Sequence, residues 1–173
     1  MLNNAYQSSL IETAPLPEDI TRLLRIWNDH KPADGFPLKS EMNPADYKDF
    51  LGRICILEIQ QKPLDFIFRL YGSEISAASP EDLCGKSLLE GTPREVYRRH
   101  FDEFESAYEA AAPQVWHVSY EAEEPYDYYR LILPFAEDRN SSTKTPRFFL
   151  NFCYSLNSPQ GTFHTYRDLS DNI

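Results

Sequence analysis

Two arginines stand inside otherwise apolar, strand-like segments, Arg69 in the first half of the chain and Arg130 in the second. A desolvated arginine needs a carboxylate or an anionic ligand beside it, because an unpaired buried charge lowers the stability of the fold by roughly several kcal/mol. Either arginine could therefore anchor a carboxylated metabolite. We expect instead that each points to the outer surface of a sheet, where pairing with Glu58, Glu121 or Glu123 adds modest stability.

The other side chains capable of chemistry form no catalytic or metal-binding motif. The four histidines contain no HExxH or HxH pair, and no serine lies in a GxSxG segment. The cysteines contain no CxxC pair, so we expect reduced, partly buried thiols. They are Cys55, Cys84 and Cys153. The sequence therefore contains no motif that indicates an enzyme.

Composition excludes several other classes of protein. The chain has six glycines, and their spacing permits neither GxGxxG nor a phosphate-binding P-loop. The net charge of −10 makes a nucleic-acid partner improbable. No apolar run approaches the roughly 20 residues of a membrane helix, and residues 1–20 lack the pattern of a signal peptide. We expect a cytoplasmic protein without a membrane span.

Hydrophobic spacing predicts two main helices. A short amphipathic helix is predicted over 17–31 and a longer one from Pro93 to about Ala111. The short helix is too short to be stable alone, so its apolar stripe must pack on a sheet or on a second chain. This candidate interface consists of Ile20, Leu23, Leu24 and Trp27.

Apolar alternation and β-rich composition predict five strands. The polar segments that join several of them are short enough for hairpins, which favours an antiparallel sheet. Residues 1–16 are predicted to be frayed, and two or three short helices are predicted within 73–91. The predicted strands lie near 54–59, 66–71, 115–122, 128–135 and 147–156.

The predicted order of elements resembles that of the PAS sensory domains. It is two strands, a cluster of short helices, one longer helix and three strands. The segment 79–88, SPEDLCGKSL, resembles a helix of that family, and 68–75 and 130–135 add weaker similarity. The chain looks closest to the short stand-alone PAS-like proteins of bacteria. The turn at 140–142 departs from the family because it lacks the glycine that many relatives have.

The resemblance implies an α+β fold with a five-stranded antiparallel sheet in the order 2-1-5-4-3 and helices over one face. It places an N-terminal extension at 1–50, the PAS-like domain at 51–157 and a tail at 158–173. In such domains, the space between helix and sheet often holds a small ligand.

No resident cofactor is expected. A flavin photosensor of this fold carries its reactive cysteine in a GxNCRFLQ motif, whereas Cys84 precedes Gly85. A haem sensor needs an axial histidine, for which His100 and His117 are the candidates. We expect His100 to lie hydrogen-bonded or solvated at the edge of the core, and His117 to face away from Trp116.

A candidate ligand pocket follows from placing the long helix over the sheet. We expect it to be small or filled by side chains, because its predicted walls are so aromatic. Tyr97, His100, Phe101 and Phe104 of the helix are predicted to face Trp116, Val118, Tyr129 and Leu131 of the sheet.

The expected function is that of a non-catalytic, single-domain sensory or adaptor module. It would bind a small molecule, a partner signalling protein, or both, and regulate in trans. One alternative is a structural dimerisation module without a ligand, since the partner could be a second copy. A less favoured alternative is a small α+β enzyme that uses a carboxylate and a histidine for proton transfer.

Overall fold

A computed structural model of the chain describes residues 6–13, 15–78, 82–91, 93–120, 125–139 and 144–163. Three helices and six strands are present in these ranges. The helices are α1 (Glu18–His30), α2 (Ser73–Ala78) and α3 (Arg94–Ala110). The strands are β1 (Gln7–Leu10), β2 (Ile54–Gln61), β3 (Leu64–Tyr71), β4 (Gln114–Tyr120), β5 (Tyr126–Phe135) and β6 (Phe148–Ser155). Single 3-10 turns occur at Lys39–Glu41, Pro44–Tyr47, Leu51–Arg53 and Leu88–Glu90.

The strands form one antiparallel sheet in the order β1-β4-β5-β6-β2-β3. The five predicted strands are β2 to β6, and their predicted order is confirmed, with the last strand beside the first. The prediction of only five strands was wrong. Residues 7–10, expected to be frayed, form β1 because the edge of β4 offers backbone partners, with Gln7 opposite Ser119 and Leu10 opposite Trp116.

Helices cover both faces of this sheet. Helix α1 lies on the outer face, where Ile20 and Leu23 are fully buried in the same apolar cluster as Leu131, Leu133 and Phe152. The stripe expected to form an interface is therefore part of the chain's own core. The physical reason is that the outer sheet face is itself apolar and must be covered.

The opposite, inner face of the sheet is covered by α3. Phe104 and Ala107 of this helix are fully buried with Phe66, Ile132 and Phe149 of the sheet. The helix ends at Ala110, and the next residue, Ala111, adopts a left-handed backbone with φ of 49° two residues before Pro113. Along β5, neighbouring residues alternate between the α1 and α3 layers, so both faces of this strand are buried.

Some sequence predictions fall on residues outside the described ranges. They concern the start of the 79–88 segment, Glu121 and Glu123 as ion-pair partners, and the turn at 140–142.

Candidate functional site

A cavity of about 270 Å³ lies between α3 and the inner face of the sheet, beside α2. Its polar side chains gather on β5, β6 and α3, and the remaining wall is apolar and aromatic. It is lined by Cys55, Phe68, Tyr71, Ile75, Ala78, Leu88, Pro93, Val96, Tyr97, His100, Tyr120, Tyr126, Tyr128, Arg130, Asn151, Cys153 and Phe163.

The polar end of the cavity is built around a buried ion pair. Arg130 of β5 is 4% exposed and Glu103 of α3 is 1% exposed. Arg130 Nε donates to Glu103 Oε2 over 2.8 Å. Two further side chains hold the guanidinium: Nη1 donates to Asn151 Oδ1 over 3.1 Å, and Nη2 donates to the Tyr128 hydroxyl over 2.7 Å. The three partners lie on α3, β6 and β5 respectively, so the guanidinium is hydrogen-bonded to three different elements of the fold.

Tyr6 connects this ion pair to the edge of the sheet. Its hydroxyl donates to the second carboxylate oxygen of Glu103, and its ring stacks on Tyr120 at 5.6 Å. Burial raises the pKa of the Tyr6 phenol, which therefore remains a donor. Burial also raises the pKa of Glu103, while Arg130 and hydrogen bonds from Tyr6 and Ser8 favour the ionised carboxylate.

His100 lies in the same buried group. Its ring packs between Tyr6, at 5.5 Å, and Tyr97, at 5.1 Å, and its Nε2 is 3.4 Å from the Tyr128 hydroxyl. Burial, helped by the positive charge of Arg130, holds the pKa of His100 well below its usual range. The imidazole is therefore neutral near pH 7.

The two thiols in the cavity wall are not activated. Burial raises the pKa of Cys55 to about 12 and also raises the pKa of Cys153. Both are protonated near neutral pH, and a thiol is a far weaker nucleophile and metal ligand than a thiolate. Within the described ranges, no group of three or more histidine, cysteine, aspartate or glutamate side chains is arranged to hold a metal ion.

The predicted pocket is partly present. Tyr97 and His100 line the cavity. Tyr129 and Leu131 lie instead on the outer face, packed with the α1 layer, so their assignment to the pocket was wrong. Their neighbours Tyr128 and Arg130 point inward. The apolar residues Tyr129 and Leu131 of β5 were assigned to the inner face, but they lie on the outer face, which is also buried.

Four other predicted pocket residues pack around the cavity rather than line it. The ring of Phe66 lies 5.2 Å from Phe101 and 5.6 Å from Phe104, and these rings fill the space beside the cavity. Val118 is fully buried, and Trp116 donates from its indole nitrogen to Gln114. These four residues form part of the apolar core behind the cavity wall.

The two arginines singled out by the sequence have different positions. Arg69 is half-exposed and pairs with Glu58 at 2.7 Å, as expected. Arg130 is buried and pairs with Glu103, so its predicted outward direction was wrong. His117 faces outward, as expected, with Nε2 2.6 Å from Asp127.

Sequence reasoning missed Glu103, Asn151 and Tyr6. A signal existed for two of them, since Glu103 follows His100 by three residues on a predicted helix and Asn151 interrupts an apolar strand. Tyr6 had no such signal because it lies in a polar segment whose position depends on pairing with β4.

The geometry defines an α+β domain in which an antiparallel sheet and a helical layer enclose a small cavity. The family model for the PAS domain matches residues 17–146, which is more than half of the chain. The chain therefore belongs to the PAS domain family, and the predicted family is confirmed. No curated protein and no solved structure matches the chain.

Domains of the PAS family are generally non-catalytic sensory or signalling modules. In the part of the chain that the structure covers, no helix has the length and hydropathy needed to cross a bilayer.

The buried position of His100 predicts a pH dependence of stability. In the unfolded chain its pKa returns to about 6.5, so below that pH the unfolded state binds a proton that the folded state does not. Stability is thus lost as the pH falls through this range, by about 1.4 kcal/mol per pH unit. Between pH 6.5 and 5, we expect the wild type to lose more stability than His100→Gln, by at most about 1.6 kcal/mol.

Urea unfolding of both proteins across this pH range measures the difference. The control His30→Gln changes an exposed histidine at the end of α1 and should keep the wild-type slope. Parallel pH profiles for wild type and His100→Gln would contradict a neutral, buried imidazole.

Proposed function

We propose that the protein is a non-catalytic sensor that binds a small molecule in the cavity between α3 and the sheet and regulates another signalling protein in trans. The observation that carries this proposal is the cavity of about 270 Å³ with polar groups at one end and aromatic side chains around it. This volume is close to the lower end of small-molecule pockets, roughly 300–1,000 Å³. The ligand is correspondingly small.

The state of the buried groups supports binding over catalysis. Glu103 and His100 are the carboxylate and histidine that an enzyme would need, but Arg130 holds Glu103 and burial disfavours the charged form of His100. The thiols are protonated. The alternative of a dimerisation module through α1 loses support, since Ile20 and Leu23 are buried in the chain itself.

Val96 offers a direct test of the cavity. It is half-buried in the cavity wall on α3, and a phenylalanine there would occupy ligand space. We expect Val96→Phe to weaken binding of the native ligand by at least about tenfold, while Val96→Ala leaves the cavity open. Native mass spectrometry of the purified proteins, followed by extraction of the retained small molecule, measures occupancy. Equal occupancy in wild type and Val96→Phe would contradict the proposed site.

Regulation in trans is tested with the same pair of variants. If ligand state controls a partner, a protein captured from the native cell extract by ligand-loaded Val96→Ala should be captured less by Val96→Phe. Identical capture by both variants would contradict coupling between the cavity and a partner.

A further inference from the structure

We propose that the ligand is an uncharged molecule with an aromatic or alicyclic body and one hydrogen-bonding group, rather than a carboxylate. This inference rests on the proposed function, because it specifies what the same cavity binds. The observation that supports it is the buried ion pair, in which the positive charge of Arg130 is already balanced by Glu103.

The one cationic side chain in the described cavity wall has its counter-ion within the protein. Arg130 donates to Glu103 over 2.8 Å, and both side chains are almost fully buried. The other titratable groups of the wall are tyrosines, thiols and the imidazole of His100. The site therefore holds one positive and one negative charge before any ligand enters.

A carboxylate in the cavity would leave a net negative charge in a place removed from water. It would have to share Arg130 with Glu103, and the carboxylates would repel each other. His100 is poorly placed to supply a second positive charge, because its ring is packed between Tyr6 and Tyr97 beside the guanidinium. A cation would instead meet Arg130 directly. An uncharged ligand avoids both costs.

The wall also indicates the form of such a ligand. Aromatic rings form much of the cavity wall, including Tyr120 and Tyr126, which stack on each other at 4.6 Å. The hydrogen-bonding side chains of Tyr128, Asn151 and His100 are grouped around Arg130 in the same wall. An apolar ring can therefore pack against the tyrosines, and one amide or hydroxyl can meet the polar group.

Matched pairs of amides and acids test the charge preference, since their members are similar in size and differ in charge. The probes are benzamide with benzoate, and cyclohexanecarboxamide with cyclohexanecarboxylate, at pH 7.5 on the intact wild-type protein. Ligand-observed NMR titration measures each affinity, and Val96→Phe reports whether binding is in the cavity. We expect the amide of each pair to bind at least about tenfold tighter.

The outcomes separate this inference from the proposed function. Carboxylates that bind the cavity as tightly as the amides, or more tightly, would overturn the inference and leave the cavity as a ligand site. If no probe binds and the native protein retains no ligand, the proposed function fails, and the inference fails with it.

Glu103→Gln provides a second, opposite prediction. Removing the internal carboxylate leaves Arg130 without its counter-ion, so this variant should bind benzoate at least about tenfold tighter than the wild type does. An unchanged benzoate affinity in the folded variant would contradict the charge argument. If the variant does not fold, the wild-type pairs decide the question alone.

Discussion

Replacing Glu103 with glutamine is expected to lower the free energy of unfolding by about 3–5 kcal/mol. The carboxylate is almost fully buried and accepts hydrogen bonds from Arg130 and Tyr6. Its removal leaves the guanidinium in the core with neutral partners alone, and an uncompensated buried charge is among the most destabilising changes in a protein. Urea unfolding at pH 7.5 measures the loss.

Asp102→Asn is the matched control on the same helix. Asp102 lies 3.5 Å from Arg98 in a largely exposed ion pair, and its loss should cost about 0.5 kcal/mol or less. The double variant Glu103→Gln/Arg130→Met removes both charges and should be more stable than Glu103→Gln alone. If the free energy of unfolding of Glu103→Gln lies within about 1 kcal/mol of the wild-type value, the ion pair does not stabilise the fold to the expected extent.

The secondary structure was largely predictable because periodic apolar residues mark each long element. The α1 stripe predicted a helix over 17–31 and the structure has Glu18–His30, while the strands of the β2–β3 hairpin agree closely with their predicted positions. The exception is β1, whose four exposed residues carry no apolar pattern. Its structure depends on pairing with β4, which local sequence does not encode.

The candidate site was only partly predictable, and β5 shows why. Alternation tells which residues share a face, but it identifies the inner face only when one side is polar. Here Leu131 and Leu133 are as deeply buried under α1 as Ile132 is under α3. The choice between Tyr129 and Tyr128 as a pocket residue therefore depended on how helices were distributed over the sheet.

The buried ion pair illustrates a second limit. Arg130 stood out because it interrupts an apolar strand, but the sequence offered several carboxylates as partners. Only the packing of α3 over β5 brings Glu103 to its guanidinium. A charged residue on a strand whose two faces are buried is thus a better indicator of an internal network than a charged residue on a strand with one exposed face.

Trp27→Ala is expected to lower the free energy of unfolding by about 3–5 kcal/mol without changing the molar mass. Trp27 is 3% exposed in the apolar cluster between α1 and the sheet, and its indole Nε1 donates to the Pro134 carbonyl over 2.8 Å. The substitution removes a large buried ring and leaves that carbonyl without its partner. Because α1 has 13 residues and would not be stable alone, weaker docking also favours its unfolding.

Thermal unfolding together with light scattering distinguishes an intrachain cover from an interface. Asp29→Ala is the control, because Asp29 is exposed on α1 and its replacement should leave both readouts near the wild-type values. Lower stability at unchanged mass is the result expected for a helix that covers its own sheet. A lower mass with an intact fold would instead mean that two copies exchange or share α1, since only then would the Trp27 contact hold a second chain in place.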